Sequence, residues 1–220
     1  MSLKTQNYIL LIFNCYKYRE KALVQKKTWL PGLPQSILYF HVLGDPDLES
    51  DFVINEEENL LIVKCKDDYV SLPSKVIQAY EAMFETYQFK YIFKTDDDQH
   101  LKKTKFFEVI MNILEQKTPK IHYGGRIVDV QVPYLSEYHR IHPELPQYLV
   151  IQKTKYCSGR FYLLSWDSIF NLCNKKTKIQ QEVLEDYSIG FHLSSFLKDT
   201  IFNIKVGDSF EDQVVSISSI

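Results

Sequence analysis

Apolar positions come in short blocks separated by turn-forming residues. Residues 7–13 include the unbroken run Tyr8-Ile-Leu-Leu-Ile-Phe13, which predicts a strand buried on both faces. Residues 36–43 predict a second strand, stopped by Gly44-Asp45-Pro46, and Leu60–Val63 a short third. Pro73 then opens a segment with Val76, Ile77, Tyr80, Met83, Phe84 and Tyr87 on one helical face. Lys90–Thr95 predicts a further strand that runs straight into Asp96-Asp97-Asp98. Thr104 is placed to cap a helix carrying Phe107, Ile110, Met111 and Leu114 on one side. Strand and helix alternate, so the expected class is α/β: a Rossmann-like, mostly parallel sheet flanked by helices. Residues 126–157, with Pro133, Pro143, Pro146 and weak periodicity, predict a loop-rich region over a site. Nothing resembling a linker or repeat interrupts residues 1–220, so one domain is expected.

Composition narrows the class of function. Hydrophobic residues make up 45% of the 220 and charged ones 25%, with 15 Tyr and 14 Phe to fill a core and line a cleft. That balance excludes a disordered tail and a bundle of membrane spans. Net charge is -2 with no basic run, which argues against a nucleic-acid partner. Cys15, Cys65, Cys157 and Cys173 form no C-x-x-C pair, so they read as reduced, mostly buried thiols and not as a zinc site. The run 8–13 is too short for a membrane span or a signal-peptide core.

Three places carry candidate chemistry. Ligands of open α/β sheets bind beyond the carboxyl ends of strands, which is where Asp96, Asp97 and Asp98 fall. Adjacent carboxylates repel, and a hard divalent cation such as Mn²⁺ or Mg²⁺ with phosphate oxygens as further ligands relieves this. The alternative is a solvated acidic turn in which Asp98 caps the next segment. Glu185-Asp186 is the second place, with Val183, Leu184, Tyr187 and Phe191 as an apolar helical stripe; Asp186 is either a helix cap or a proton acceptor. Tyr156-Cys157-Ser158-Gly159 reads as a turn into the strand Phe161–Ser165, and no histidine–carboxylate pair marks Cys157 as a nucleophile.

In order, these elements resemble the β-1,3-glycosyltransferase superfamily of β-1,3-galactosyltransferases, β-1,3-N-acetylglucosaminyltransferases and Fringe. Lys26-Lys27-Thr28-Trp29 is similar to the family's Arg-x-Thr-Trp, and Val42-Leu43-Gly44 to its Leu-Gly strand end. Asp67–Lys75 resembles Asp-x-Tyr-x-Asn-Leu-Thr-x-Lys, Lys94–Asp98 reproduces Lys-Thr-Asp-Asp-Asp, and Tyr156–Ser165 matches Tyr-Cys-Ser-Gly with its strand. Glu185–Gly190 is similar to Glu-Asp-Val-x-x-Gly. The chain departs from the pattern at Ala22, Lys26 and Arg160, where the family has arginine, arginine and a glycine-rich stretch.

The resemblance implies a GT-A fold, with a donor-binding half at about 1–120 and an acceptor half at about 121–220. It implies inverting transfer of a hexose or N-acetylhexosamine (galactose, glucose or N-acetylglucosamine) from a UDP-sugar to a hydroxyl of a glycan or glycoprotein. Asp96 and Asp98 would hold the metal, Asp97 the donor sugar or ribose, and Asp186 would be the general base. Lys26, Asp68 and Lys75 would join Asp96 and Asp97 in holding the donor. A nucleotide- or sugar-binding pseudoenzyme of the same fold is the second reading, and an acid-nucleophile phosphatase, whose D-x-D belongs nearer the chain start, the third. The family's membrane anchor is not seen in the chain, and the Lys/Ile/Phe/Tyr-rich usage suggests an AT-rich viral or microbial genome. The expectation is therefore a soluble, cytoplasmic chain, or else the catalytic portion of a Golgi-anchored enzyme.

Overall fold

A computed structural model describes residues 3–213. At its centre is an eight-stranded sheet. From one edge the strands run Phe202–Asn203, Tyr123–Val130, Thr154–Ser165, Tyr91–Asp96, Tyr8–Phe13, Ile37–Gly44, Leu60–Val63 and Phe52–Asn55. Four adjacent strands (Tyr91–Asp96, Tyr8–Phe13, Ile37–Gly44 and Leu60–Val63) are parallel neighbours, as the alternating pattern predicts. Phe52–Asn55 pairs antiparallel at one edge, and Thr154–Ser165 is antiparallel to both of its neighbours.

Period-2 geometry distributes the strand Tyr8–Phe13 between two cores. Ile9, Leu11 and Phe13 face one side, under the helices Leu72–Thr86, Trp166–Cys173 and Glu185–His192, where Val76, Tyr80, Ile169 and Ile189 are buried. Tyr8, Leu10 and Ile12 face the other, where the helix Phe106–Gln116 contributes Phe107, Ile110 and Leu114. A strand covered on both faces must be apolar at every position, which accounts for the unbroken run.

Several boundaries differ from expectation. The helix Phe106–Gln116 has Lys105 at its N-cap and no side-chain cap hydrogen bond, so Thr104 does not cap it. The loop-rich region shrinks to 131–153, because the strands Tyr123–Val130 and Thr154–Ser165 extend into both of its ends. Tyr156–Gly159 is not a turn: it lies inside the 12-residue strand Thr154–Ser165, whose register against Tyr123–Val130 shifts between Cys157 and Tyr162. Val183 and Leu184 precede the helix Glu185–His192, which places Asp186 in its first turn. The cysteines are free; Cys65 and Cys157 are buried, but Cys15 and Cys173 only partly so.

Close approach requires glycine at Gly44, Gly125 and Gly190; a Cβ on Gly125 would stand 2.7 Å from Cβ of Cys157. A Cβ on Gly44 would stand 2.9 Å from the Cys65 carbonyl oxygen. A Cβ on Gly190 would stand 2.2 Å from Cβ of Tyr156, because the helix Glu185–His192 lies directly on the strand Thr154–Ser165. Gly190→Ala therefore forces apart the helix that carries Asp186 and the strand beneath it. We expect a loss of at least about 1–3 kcal/mol in urea unfolding, whereas Gly207→Ala, with open space around it, should be near neutral.

Candidate active site

A cleft with a volume of about 720 Å³ gathers residues that are far apart in sequence. Asp96, Asp97 and Asp98 line it together with Asp68, Lys75 and Asp186. Lys26 does not reach it: its Nζ donates to the Glu58 carbonyl oxygen at 2.7 Å, outside the lining.

The triplet straddles the end of the strand Tyr91–Asp96 and a two-residue turn leading to the strand Gln99–Leu101. Two side chains from the segment Gln25–Trp29 fix this turn. Gln25 Nε2 donates to the carbonyl oxygens of Asp96 (3.2 Å) and Gln99 (2.9 Å), and Trp29 Nε1 donates to Gln99 O at 3.1 Å. The segment resembling the family's Arg-x-Thr-Trp is thus a brace under the acidic turn. Gln25 Oε1 faces His41 Nε2 at 3.1 Å; with both amide protons already directed at carbonyls, the imidazole must donate, which leaves buried Nδ1 without a partner among the described residues.

Each aspartate has its own surroundings. Lys94 Nζ donates to Asp96 Oδ1 at 2.6 Å, and Lys21 Nζ to Asp97 Oδ1 at 3.2 Å. Burial raises both carboxyls to about 6 against these lysines. Asp98 is partly exposed and accepts at Oδ1 from Gln99 Nε2 at 2.8 Å. The second oxygens of Asp96 and Asp98 receive no protein donor among the described residues. An all-oxygen pair of this kind fits a hard divalent cation. No three His, Cys, Asp or Glu groups among the described residues stand close enough to hold an ion alone. A cation there would need the oxygens of a bound diphosphate as well.

Lys94 is 1% exposed, and it also donates to the Gly159 carbonyl oxygen at 2.8 Å and pairs with Glu185 Oε2 at 3.1 Å. Glu185 in turn accepts from Tyr162, whose hydroxyl meets that of Tyr80 at 2.7 Å. Glu185 is therefore a buried counter-ion, spent inside the protein. Its neighbour Asp186 faces the cleft, accepting at Oδ2 from the Gly159 amide (3.0 Å) and at Oδ1 from the Tyr187 amide (2.7 Å). Burial raises the Asp186 carboxyl and so favours proton acceptance, with Lys94 opposing.

Asp68 is exposed and caps the following turn through the Ser71 amide at 2.8 Å. Lys75 is 2% exposed; its ammonium is directed at the Asn14 carbonyl oxygen (2.9 Å) and at Asp67, which also receives the Gly44 amide at 2.9 Å. Lys21 falls in none of the resembled motifs, while Asp67 and Lys94 each open one, Asp67–Lys75 and Lys94–Asp98, with no role assigned to them there. A lysine in the middle of an apolar central strand is a second signal for Lys94.

Residues 21–197 match the family model described as Galactosyltransferase. The chain belongs to the galactosyltransferase family. Two curated members show the distance. UDP-GalNAc:beta-1,3-N-acetylgalactosaminyltransferase 1 of Rattus norvegicus is 25% identical over 179 residues, covering 77% of this chain and 52% of that protein. UDP-GalNAc:beta-1,3-N-acetylgalactosaminyltransferase 2 of Homo sapiens is 23% identical over 154 residues, covering 67% and 29% respectively. The chain thus spans about half or less of the length of these two relatives. Core-mannan synthase A of Aspergillus fumigatus, in its Mn/GDP form, shares the fold at 9% identity and a TM-score of 0.52, over 93% of this chain and 74% of that one. This galactosyltransferase-family chain therefore has the GT-A glycosyltransferase fold. Among its described residues, no helix is long and apolar enough to cross a membrane.

The brace under the triplet gives stability a pH dependence. Burial, with Lys26 adding to it, pushes His41 down to about 3, well below the ordinary value near 6.5. Below about pH 6.5 the unfolded chain takes up a proton at His41 that the folded one refuses, so the contribution of His41 to stability falls as pH falls. The expected loss is about 1–2 kcal/mol between pH 6.5 and 5. Urea melts across that range should show the advantage of wild type over His41→Leu shrinking with acidification.

Proposed function

We propose that the chain is an inverting, divalent-metal-dependent glycosyltransferase. It moves a hexose or N-acetylhexosamine from a UDP-sugar to a hydroxyl of a glycan or glycoprotein. The observation that carries this reading is that Asp96 and Asp98, with one free oxygen each among the described residues, and Asp186, with a raised carboxyl, line the same cleft. The first pair comes from the proposed donor half, about 1–120, and Asp186 from the proposed acceptor half, about 121–220. The names of the relatives add N-acetylgalactosamine to galactose, glucose and N-acetylglucosamine as donor sugars to test.

Asp98 and Asp96 would hold Mn²⁺ or Mg²⁺ beside the donor diphosphate, where the bound ion supplies charge neutralisation for the leaving UDP. Asp96 is fixed for this by Lys94. Asp97, buried and paired with Lys21, shapes the donor side through that lysine, and Lys75 holds the Asp67 loop behind it. Asp68 offers an exposed carboxylate at the cleft wall, a polar contact for the donor. Asp186 accepts the proton of the acceptor hydroxyl, and its Gly159 and Tyr187 amide contacts keep the carboxylate aimed. One direct displacement at the anomeric carbon inverts its configuration and leaves no sugar on the protein. The stacked pair Tyr69 and His142, with ring centroids 4.0 Å apart, joins the 131–153 loop to the cleft rim, where an acceptor would enter.

UDP release from a panel of UDP-sugars, with Mn²⁺, Mg²⁺ or EDTA, should show metal-dependent turnover of one donor. Metal-dependent UDP binding with no turnover on any donor or acceptor would favour a binding protein of this fold. Asp186→Asn should retain UDP binding by calorimetry and lose transfer by about two to four orders of magnitude. Asp98→Ala should abolish the metal-dependent part of UDP binding while its far-UV circular dichroism stays that of wild type.

A further inference from the structure

The charges around the cleft are unevenly committed. Eight carboxylates line it: Asp67, Asp68, Asp96, Asp97, Asp98, Glu144, Glu185 and Asp186. Of the cations besides Arg160, Lys75 and Lys94 are buried on fixed partners, Lys21 is taken by Asp97, and Lys17 is exposed with its ammonium over the Tyr18 ring. A diphosphate entering here meets a wall of net negative charge and needs a cation that can change partners.

Arg160 meets that requirement. It stands on the strand Thr154–Ser165 where the register shifts, and its backbone is pinned to the acidic strand by Thr95 Oγ1 donating to its carbonyl oxygen at 2.7 Å. Its side chain lines the cleft and is 34% exposed. Among the described residues its guanidinium pairs only with Asp212, Nη2 to Oδ1 at 2.5 Å, and Asp212 is 75% exposed and outside the cleft lining. Asp212 ends the strand Phe210–Asp212, which pairs with Gln99–Leu101 immediately after the triplet. Gln99 Nε2 lies between Asp98 Oδ1 (2.8 Å) and Asp212 Oδ1 (3.2 Å), so this counter-ion sits beside the proposed metal-binding turn.

We propose that Arg160 anchors the donor diphosphate, and that Asp212 is a stand-in counter-ion which holds the guanidinium in place and competes with the nucleotide for it. The inference rests on the donor reading above. An exposed carboxylate pair is weak because water screens it. The planar guanidinium fork matches two phosphate oxygens and gains more from a doubly charged group in a partly dry cleft. Exchange from Asp212 to the nucleotide is therefore downhill, while the resting pair prevents Arg160 from turning into the carboxylate-rich cleft and closing it.

Calorimetric titration of UDP, with Mn²⁺ and again in EDTA, tests this on wild type, Arg160→Gln, Arg160→Lys, Asp212→Asn and the double variant Arg160→Gln/Asp212→Asn. Arg160→Gln should weaken UDP by about 10-fold or more in both buffers. Arg160→Lys should recover part of the loss. Asp212→Asn should tighten UDP by about 2- to 5-fold, and the double variant should match Arg160→Gln. Equal UDP affinity in wild type and Arg160→Gln would overturn the inference and leave the donor reading standing. So would tightening by Asp212→Asn that persists without Arg160, since that is general charge relief. A wild type that binds no UDP in either buffer would instead overturn the donor reading, and this inference with it.

Discussion

One buried ammonium holds the two ends of the site together. Lys94 sits in a central strand, and burial opposes its charge, yet Asp96 and Glu185 outweigh that and keep it firmly protonated. Its three partners belong to three motifs: the acidic turn, the helix that carries Asp186, and the Gly159 peptide whose amide aims Asp186. Such a group tolerates no half measures. Without it, two carboxylates would be stranded with little water to screen them, a situation far more costly than never having buried charge at all. The Glu185–Tyr162–Tyr80 chain carries the same constraint into the helix Leu72–Thr86, so the cleft wall and the core share one polar anchor.

Several motif positions serve geometry in the same way. Trp29 and Gln25 hold carbonyl oxygens of the acidic turn, and Gly190 lets the helix of Asp186 lie on its strand. Glu185 neutralises Lys94, while Asp186, one residue on, is left with its carboxylate toward the cleft. Adjacent acids thus take different work because a helix turns side chains by about 100° per residue.

The parallel core was legible because strands covered on both faces must be apolar throughout, and the acidic triplet because it interrupts such a strand at its carboxyl end. The rest depended on partners distant in sequence. The strands Tyr123–Val130 and Thr154–Ser165 looked irregular because a register shift breaks the period-2 pattern where they pair. Lys26 and Lys21 lie on one short helix, and only its orientation shows that Lys21 meets Asp97 and Lys26 meets Glu58. Thr104 lost the cap to a start one residue later, a difference of the size at which helix ends are ordinarily uncertain.

The strand Phe210–Asp212 clasps the segment just past the triplet, and Gln213 N–H donates to the Asp98 carbonyl oxygen at 2.6 Å. Phe210 is fully buried among Trp29, Phe106 and Phe161. During translation, then, every acidic residue lining the cleft is made before the clasp that steadies it. A ribosome that has released the chain only as far as about residue 200 has exposed an aromatic socket with nothing in it. Completion of the cleft is a long-range event, and the nascent protein passes through an interval in which it carries the acidic residues without the clasp that steadies them.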